Sequence, residues 1–148
     1  MNVKTILVPT DFSADAEKAL STATDLAKLF GARVVVLHAY LVDIPVVSSM
    51  AGGYALPRGF YEDLRSQATA LVENLAKEAA TEGIETTGIA LQEPVAVVIA
   101  AQAESLPADL VVMGTRGLTG LKHVLLGSIA ERVVRTAPCP VLTVKATT

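Results

Sequence analysis

Short aliphatic runs alternate along this chain with segments of helical periodicity, and no other feature restricts the possible folds as much. Residues 5–8, 34–37, 110–113 and 140–144 are strand-length runs dominated by Ile, Leu and Val. Residues 84–92 alternate weakly and predict a fifth, more exposed strand. A strand apolar at successive positions is buried on both faces. That is the condition of a parallel sheet whose crossover helices cover it on two sides.

The segments between these runs have helical spacing. Ala16, Ala19, Leu20, Ala23, Leu26, Ala27 and Phe30 fall on one face, with Ser13 or Asp11 as the cap and Gly31 as the stop. Leu64, Ala68, Leu71, Val72, Leu75 and Ala79 predict a second helix that stops at Gly83. Glu93 and Pro94 open a third, with the proline in its first turn and Val95, Val98, Ile99 and Ala103 turned inward. A fourth spans Ser128 to Thr136 and shows Ile129, Val133 and Val134. The pattern predicts an α/β fold: one five-stranded parallel sheet with four helices on its two faces.

With 148 residues the chain is one domain, residues 1–148, able to bury roughly 70% of its unfolded surface. Half the residues are hydrophobic and Trp is absent, so the core is aliphatic. A net charge of −3 and the lack of a basic stripe argue against nucleic-acid binding. The apolar runs are far shorter than the roughly 20 residues that cross a bilayer, and no basic-then-apolar leader precedes Thr5. The single Cys139 rules out an internal disulfide and suits a reducing compartment. A cytoplasmic location without membrane contact is therefore expected.

Residues 41–57 break the rhythm, with Pro45, Pro57, Gly52, Gly53 and no clear period. A segment of that length is a surface excursion or a partial lid. It follows the second strand and so belongs to the carboxyl edge of the sheet, where open α/β sheets bind ligands.

Two loops carry the candidate chemistry. The first strand runs into Pro9, Thr10, Asp11, Phe12 and Ser13. The fourth runs through Met113 into Gly114, Thr115, Arg116 and Gly117, and after nine further residues reaches Gly127 and Ser128 at a helix start. Glycines there permit tight turns and bring a ligand close to backbone N–H groups. A serine beside the free amides and positive end of a helix suits phosphate. Neighbouring first and fourth strands at a reversal of strand order would open a crevice between these loops. Asp11 is then a helix cap, a site residue or both. Arg116 is balanced between screening a polyphosphate and simple solvation, and Lys122 leans towards solvation. Thr115 and Thr119 either donate hydroxyls or shape the turn.

Several familiar sites are absent. The sequence has neither a Walker-type glycine loop nor a dinucleotide fingerprint. His38 and His123 have no partners at ligand spacing, so His38 reads as a packed or capping histidine. Cys139, between two prolines, has no base beside it.

The glycine pattern, Gly114-x-x-Gly117-x9-Gly127-Ser128, resembles the nucleotide-binding signature of the universal stress protein family, in its ATP-binding branch. The likeness extends to residues 6–13, 36–39 and 139–144. It implies strand order 3-2-1-4-5, with backbone near Ala39 facing adenine. Pro9, Thr10, Asp11 and Gly114 would then surround the nucleoside. Gly117, Gly127, Ser128 and Ile129 would hold the phosphates, and Met113, Thr115 and Arg116 complete the set.

On that resemblance the chain is a cytoplasmic, ATP-binding stress-response or regulatory protein. It would switch with ATP, or with ADP or AMP, and any Mg²⁺ would enter through the phosphates. No catalytic residue or protein-held metal is assigned. The alternatives are a slow ATPase or adenylating nucleotide hydrolase, and an interaction module with a vestigial pocket. An unidentified protein partner and a homodimer through the exposed edge Val141–Val144 complete the expectation.

Overall fold

A computed structural model describes residues 2–42, 57–81, 83–118 and 125–146. Its elements run β1 (Thr5–Pro9), α1 (Ala14–Phe30), β2 (Arg33–Ala39), α2 (Phe60–Ala79), β3 (Thr86–Leu91), α3 (Val95–Ser105), β4 (Leu110–Gly114), α4 (Ser128–Thr136) and β5 (Val141–Val144). The strands form one sheet in the order β3-β2-β1-β4-β5, and every neighbouring pair is parallel. The expected strand order therefore holds, with β1 and β4 adjacent at its reversal.

Alternation along the buried strands divides the core in two. Ile6, Val8, Val34, Val36, Leu110 and Val112 face α1 and α2, together with Ala19, Ala23 and Val72. Leu7, Val35, Leu37, Val111 and Met113 face the other way, with Val98 and Ile99 of α3 and Val133 of α4. Each fully buried Ile, Leu or Val contributes about 1.5–3 kcal/mol by leaving water. Both layers hold the central strands, so these are the rigid platform from which the carboxyl-edge loops project.

Local chemistry sets the helix ends. Ser13 Oγ accepts from the Ala16 amide at 3.3 Å and caps α1. Gly31, at φ +67°, ends it in a left-handed turn that costs glycine nothing. The expected ends differ elsewhere. Helix α2 stops at Ala79 with Ala80 extended, ahead of Gly83, because Ala80 N–H turns back to Lys77 O. Pro94 is the residue before α3 rather than part of its first turn, and its carbonyl receives the Val97 and Val98 amides.

The expected face of α2 holds except at Leu71, whereas that of α4 shifts. In α2 the buried residues are Ala68, Val72 and Ala76, while Leu71 is exposed. A Cβ on Gly88 of β3 would lie 2.6 Å from Val72 O, so helix and strand backbones nearly touch and small residues are needed at the contact. In α4 the buried pair is Ala130 and Val133, and Ile129 and Val134 stay half exposed.

The amino edge of the sheet is closed by polar contacts. Asp109 Oδ2 accepts from the Lys4 and Thr5 amides at 2.8 and 3.0 Å, which lowers its carboxyl pKa against the opposing effect of burial. Arg33 Nε donates to Thr5 Oγ1 at 3.0 Å. Among the described residues no helix is long and apolar enough to cross a membrane.

Candidate functional site

The loop after β1 is built by its own side chains. Thr10 N–H continues the ladder to Leu37 O at 2.8 Å, and Thr10 Oγ1 accepts from the Phe12 amide at 3.0 Å. Asp11 Oδ1 accepts from the Ser13 amide at 3.0 Å. These bonds hold Phe12 at φ +62°, a left-handed conformation that is uncommon for an aromatic residue. Its ring packs on His38 at 4.7 Å, and His38 Nδ1 donates to Thr10 O at 3.0 Å. His38 is thus a packed histidine that braces the loop.

The loop after β4 meets it from across the sheet. Leu118 N–H donates to Asp11 Oδ2 at 3.0 Å, so the carboxylate that shapes the first loop also ties down the second. Ser13, and not Asp11, caps α1; Asp11 shapes its own loop through Ser13 N–H and clasps the second loop. A Cβ on Gly117 would come within 2.7 Å of that same Oδ2. On Gly114 it would come within 2.9 Å of Asp15 Cβ, and on Gly127 within 3.2 Å of Thr115 O. The three glycines make room for close approach of the protein's own parts, and none of them has a positive φ.

One expectation about the amides needs correction. The Gly127 N–H is not free, because it donates to Thr115 O at 2.7 Å. That bond folds the loop back and starts α4 beside β4. The amides of Ser128, Ile129 and Ala130 follow it. They occupy the first turn, where no preceding helical carbonyl can reach them, and the first bond of the helix is Glu131 N–H to Gly127 O at 2.9 Å.

Between the loops lies a cavity of about 530 Å³, within the range of small-ligand sites. All twelve candidate residues line it: Pro9, Thr10, Asp11, Ala39, Met113, Gly114, Thr115, Arg116, Gly117, Gly127, Ser128 and Ile129. Leu37, Val95, Ile99 and Leu126 join them, as do Ala16, Ala130 and Glu131. Its Leu37, Ala39, Val95, Ile99 and Met113 side is aliphatic, and its α4 end is lined by amides and a hydroxyl. The sequence marked Val95 and Ile99 only as core, because a wall residue and a core residue have the same periodicity.

Asp15, which the sequence did not single out, anchors the cavity wall from behind. It sits in the first turn of α1, where a carboxylate ordinarily does no more than complement the helix dipole. Here Oδ2 accepts from Thr115 Oγ1, from the Arg116 amide and from Arg116 Nε, at 3.0, 3.2 and 3.2 Å. Oδ1 accepts from the Ala146 amide at 3.0 Å. Burial opposes its ionisation, but the donors from Ala146, Arg116 and Thr115 prevail and hold the carboxyl below its ordinary range. Arg116 is therefore an ion-paired residue on the cavity wall, and the Thr115 hydroxyl points at Asp15. The one sequence signal that could have pointed to it is the cation of Arg116 in a loop without an acidic residue beside it.

Burial pushes the Cys139 thiol up, aided by the charge of Asp109, which favours an unreactive neutral thiol. Lys122, Thr119, Gly120 and His123 lie outside the described residues, as does the candidate lid from residue 43 to residue 56.

Comparison with known proteins agrees with this fold. The model of the universal stress protein family matches residues 2–145. Universal stress protein MJ0531 of Methanocaldococcus jannaschii is 40% identical, covering 96% of this chain and 82% of its own length. The solved structure of hypothetical protein MJ0577, from the same organism, superposes with a TM-score of 0.80 at 29% identity, over 100% of this chain and 99% of that one. A universal stress protein solved in complex with cAMP gives a TM-score of 0.62 at 26% identity, over 97% and 98%.

Proposed function

This chain belongs to the universal stress protein family, and we propose that it is a cytoplasmic, ATP-binding stress-response regulator whose conformation depends on the nucleotide. The observation that carries the reading is the α4 end of the cavity. Three amides without helical partners and the Ser128 hydroxyl stand at a helix N-terminus that opens into a space with an aliphatic far side. That pairing suits a ligand with an apolar, flat end and an anionic end. The relative solved with cAMP supports an adenine nucleotide as the class.

In this reading adenine lies along Leu37, Ala39, Val95, Ile99 and Met113, with Pro9, Thr10, Asp11 and Gly114 around the sugar. The phosphates meet Ser128, Ile129 and Ala130. Gly117 and Gly127 contribute by keeping the loop closely folded. Arg116 reaches a phosphate by giving up part of its pairing with Asp15. Mg²⁺ would arrive on the phosphates. It would meet a wall that includes Asp11 and Glu131.

The glycine loop and the start of α4 offer amides and a hydroxyl rather than a general base, so turnover should fall well below the roughly 10 per second of a typical enzyme. Titration calorimetry with ATP, ADP and AMP, each with Mg²⁺, tests the proposal. Saturable binding is expected, and no binding of any of them at millimolar concentration would overturn it. Release of AMP and pyrophosphate at enzyme-like rates would instead favour an adenylating hydrolase.

A further inference from the structure

Asp15 joins the cavity wall to the segment after β5, two parts that otherwise meet through the backbone bond from Thr115 N–H to Val144 O at 2.9 Å. Its side chain is 7% exposed, against 19% for Arg116. Oδ2 holds Thr115 Oγ1, the Arg116 amide and Arg116 Nε. Oδ1 holds the Ala146 amide at 3.0 Å and stands 3.5 Å from Arg116 Nη2. Arg116 is on the cavity wall, and Ala146 is beyond the end of edge strand β5 and not on that wall.

We infer that Asp15 couples occupancy of the cavity to the chain segment that follows β5. An anion that draws the Arg116 guanidinium into the cavity strengthens the Asp15–Ala146 hydrogen bond, and loss of that bond weakens anion binding. The inference rests on the anionic-ligand reading of the cavity.

Donors around one carboxylate share the same negative charge. When the guanidinium turns towards a phosphate, the charge it neutralised becomes available to the remaining donors, and Ala146 N–H is the one on Oδ1. Thr115 Oγ1 and the Arg116 amide stay on Oδ2, so the carboxylate keeps its place during the exchange. In the other direction, a carboxylate without the Ala146 donor grips the guanidinium harder, which competes with the ligand. Coupling between two sites is reciprocal in free energy, so both effects must have the same size.

The amide resonance of Ala146 in the full chain provides the test. Arg116→Gln in ligand-free protein should move the Ala146 amide proton downfield, as its hydrogen bond shortens. Saturating Mg·ATP should move it the same way in the unmodified protein. Ala146→Pro deletes the donor and should weaken Mg·ATP binding about fivefold, the low end of ordinary coupling. Ala146→Gly keeps the donor and should bind like the unmodified protein. An unmoved Ala146 resonance in Arg116→Gln, or unchanged affinity in Ala146→Pro, would overturn the inference. If the unmodified protein binds no nucleotide while Arg116→Gln still shifts Ala146, the nucleotide reading falls and the relay through Asp15 stands.

Discussion

Gly117 and Asp11 are fitted to each other across the mouth of the cavity: a Cβ on the glycine would stand 2.7 Å from the Oδ2 that already accepts the Leu118 amide. Any side chain at 117 would therefore have to displace a carboxylate 106 positions earlier in the chain.

Gly117→Val should displace the Asp11 carboxylate and break the Leu118 clasp. A hydrogen bond to a charged group contributes about 1.5–3 kcal/mol, but this one lies at an exposed rim, where the effect on the fold should be near 1 kcal/mol. Thermal melting should fall by a few degrees. Calorimetry should show at least a tenfold loss of nucleotide affinity, and an unchanged affinity would count against the loop as the anion site.

Asp11→Asn separates the two duties of the carboxylate. Its one amide oxygen can still serve Ser13 N–H, leaving an NH₂ group to face Leu118 N–H, donor against donor. The α1 start should survive, with the melting temperature nearly constant, while nucleotide affinity drops. Equal affinity would reduce Asp11 to a loop-shaping residue.

Acid should reveal the two carboxylates with lowered folded pKa values, Asp15 and Asp109. Each contributes stability that is complete above the unfolded value of 3.8 and is lost as the pH falls through the lower folded value. The melting temperature should stay level from pH 7 to about 5 and decline below about 4. Asp15→Ala leaves Arg116 without its partner and should cost about 3 kcal/mol at neutral pH, the low end for a buried pair. Its decline in acid should be shallower. A parallel decline would show that Asp15 does not titrate with unfolding.

Strand β5 is the edge next to β4, and Leu142 on it is 38% exposed. Pro140 O and Val144 O both accept from the β4 side, so by alternation the Val141 and Thr143 backbone groups turn outwards. An outward row of donors and acceptors on an apolar strand favours pairing with a second copy. Light scattering should give a homodimer, and Thr143→Pro, which deletes one outward donor, should weaken it. A monomer at tens of micromolar would sink this expectation.

The nine elements of the described residues were legible because the buried strands are aliphatic at successive positions and the helices begin and end at recognisable residues, Ser13 and Gly31 among them, whereas the sheet order came only with the family resemblance. Element ends failed where a backbone turn rather than a side chain decided them, as at Ala80 and Pro94. The face of α2 was legible through Ala68 and Val72 but not at Ala76, which is buried while the expected Leu71 is exposed, and in α4 Ala130 is buried in place of the expected Ile129 and Val134. The cavity lining was legible through its glycines and its strand ends. Asp15 was not, since a carboxylate in a first helical turn looks the same whether it faces water or a guanidinium from the far half of the chain.

All five strands point the same way, so the cavity and its loops occupy one rim, and the turns around Gly31 and Gly83 occupy the opposite one. The strands that separate the rims are five to seven residues long at β1 and β2, about 17–23 Å of extended backbone. A fluorophore or affinity handle attached at the turn around Gly31 would therefore report from the far rim without touching the ligand's path. The same molecule can be tethered to a surface there with its binding mouth facing the solution.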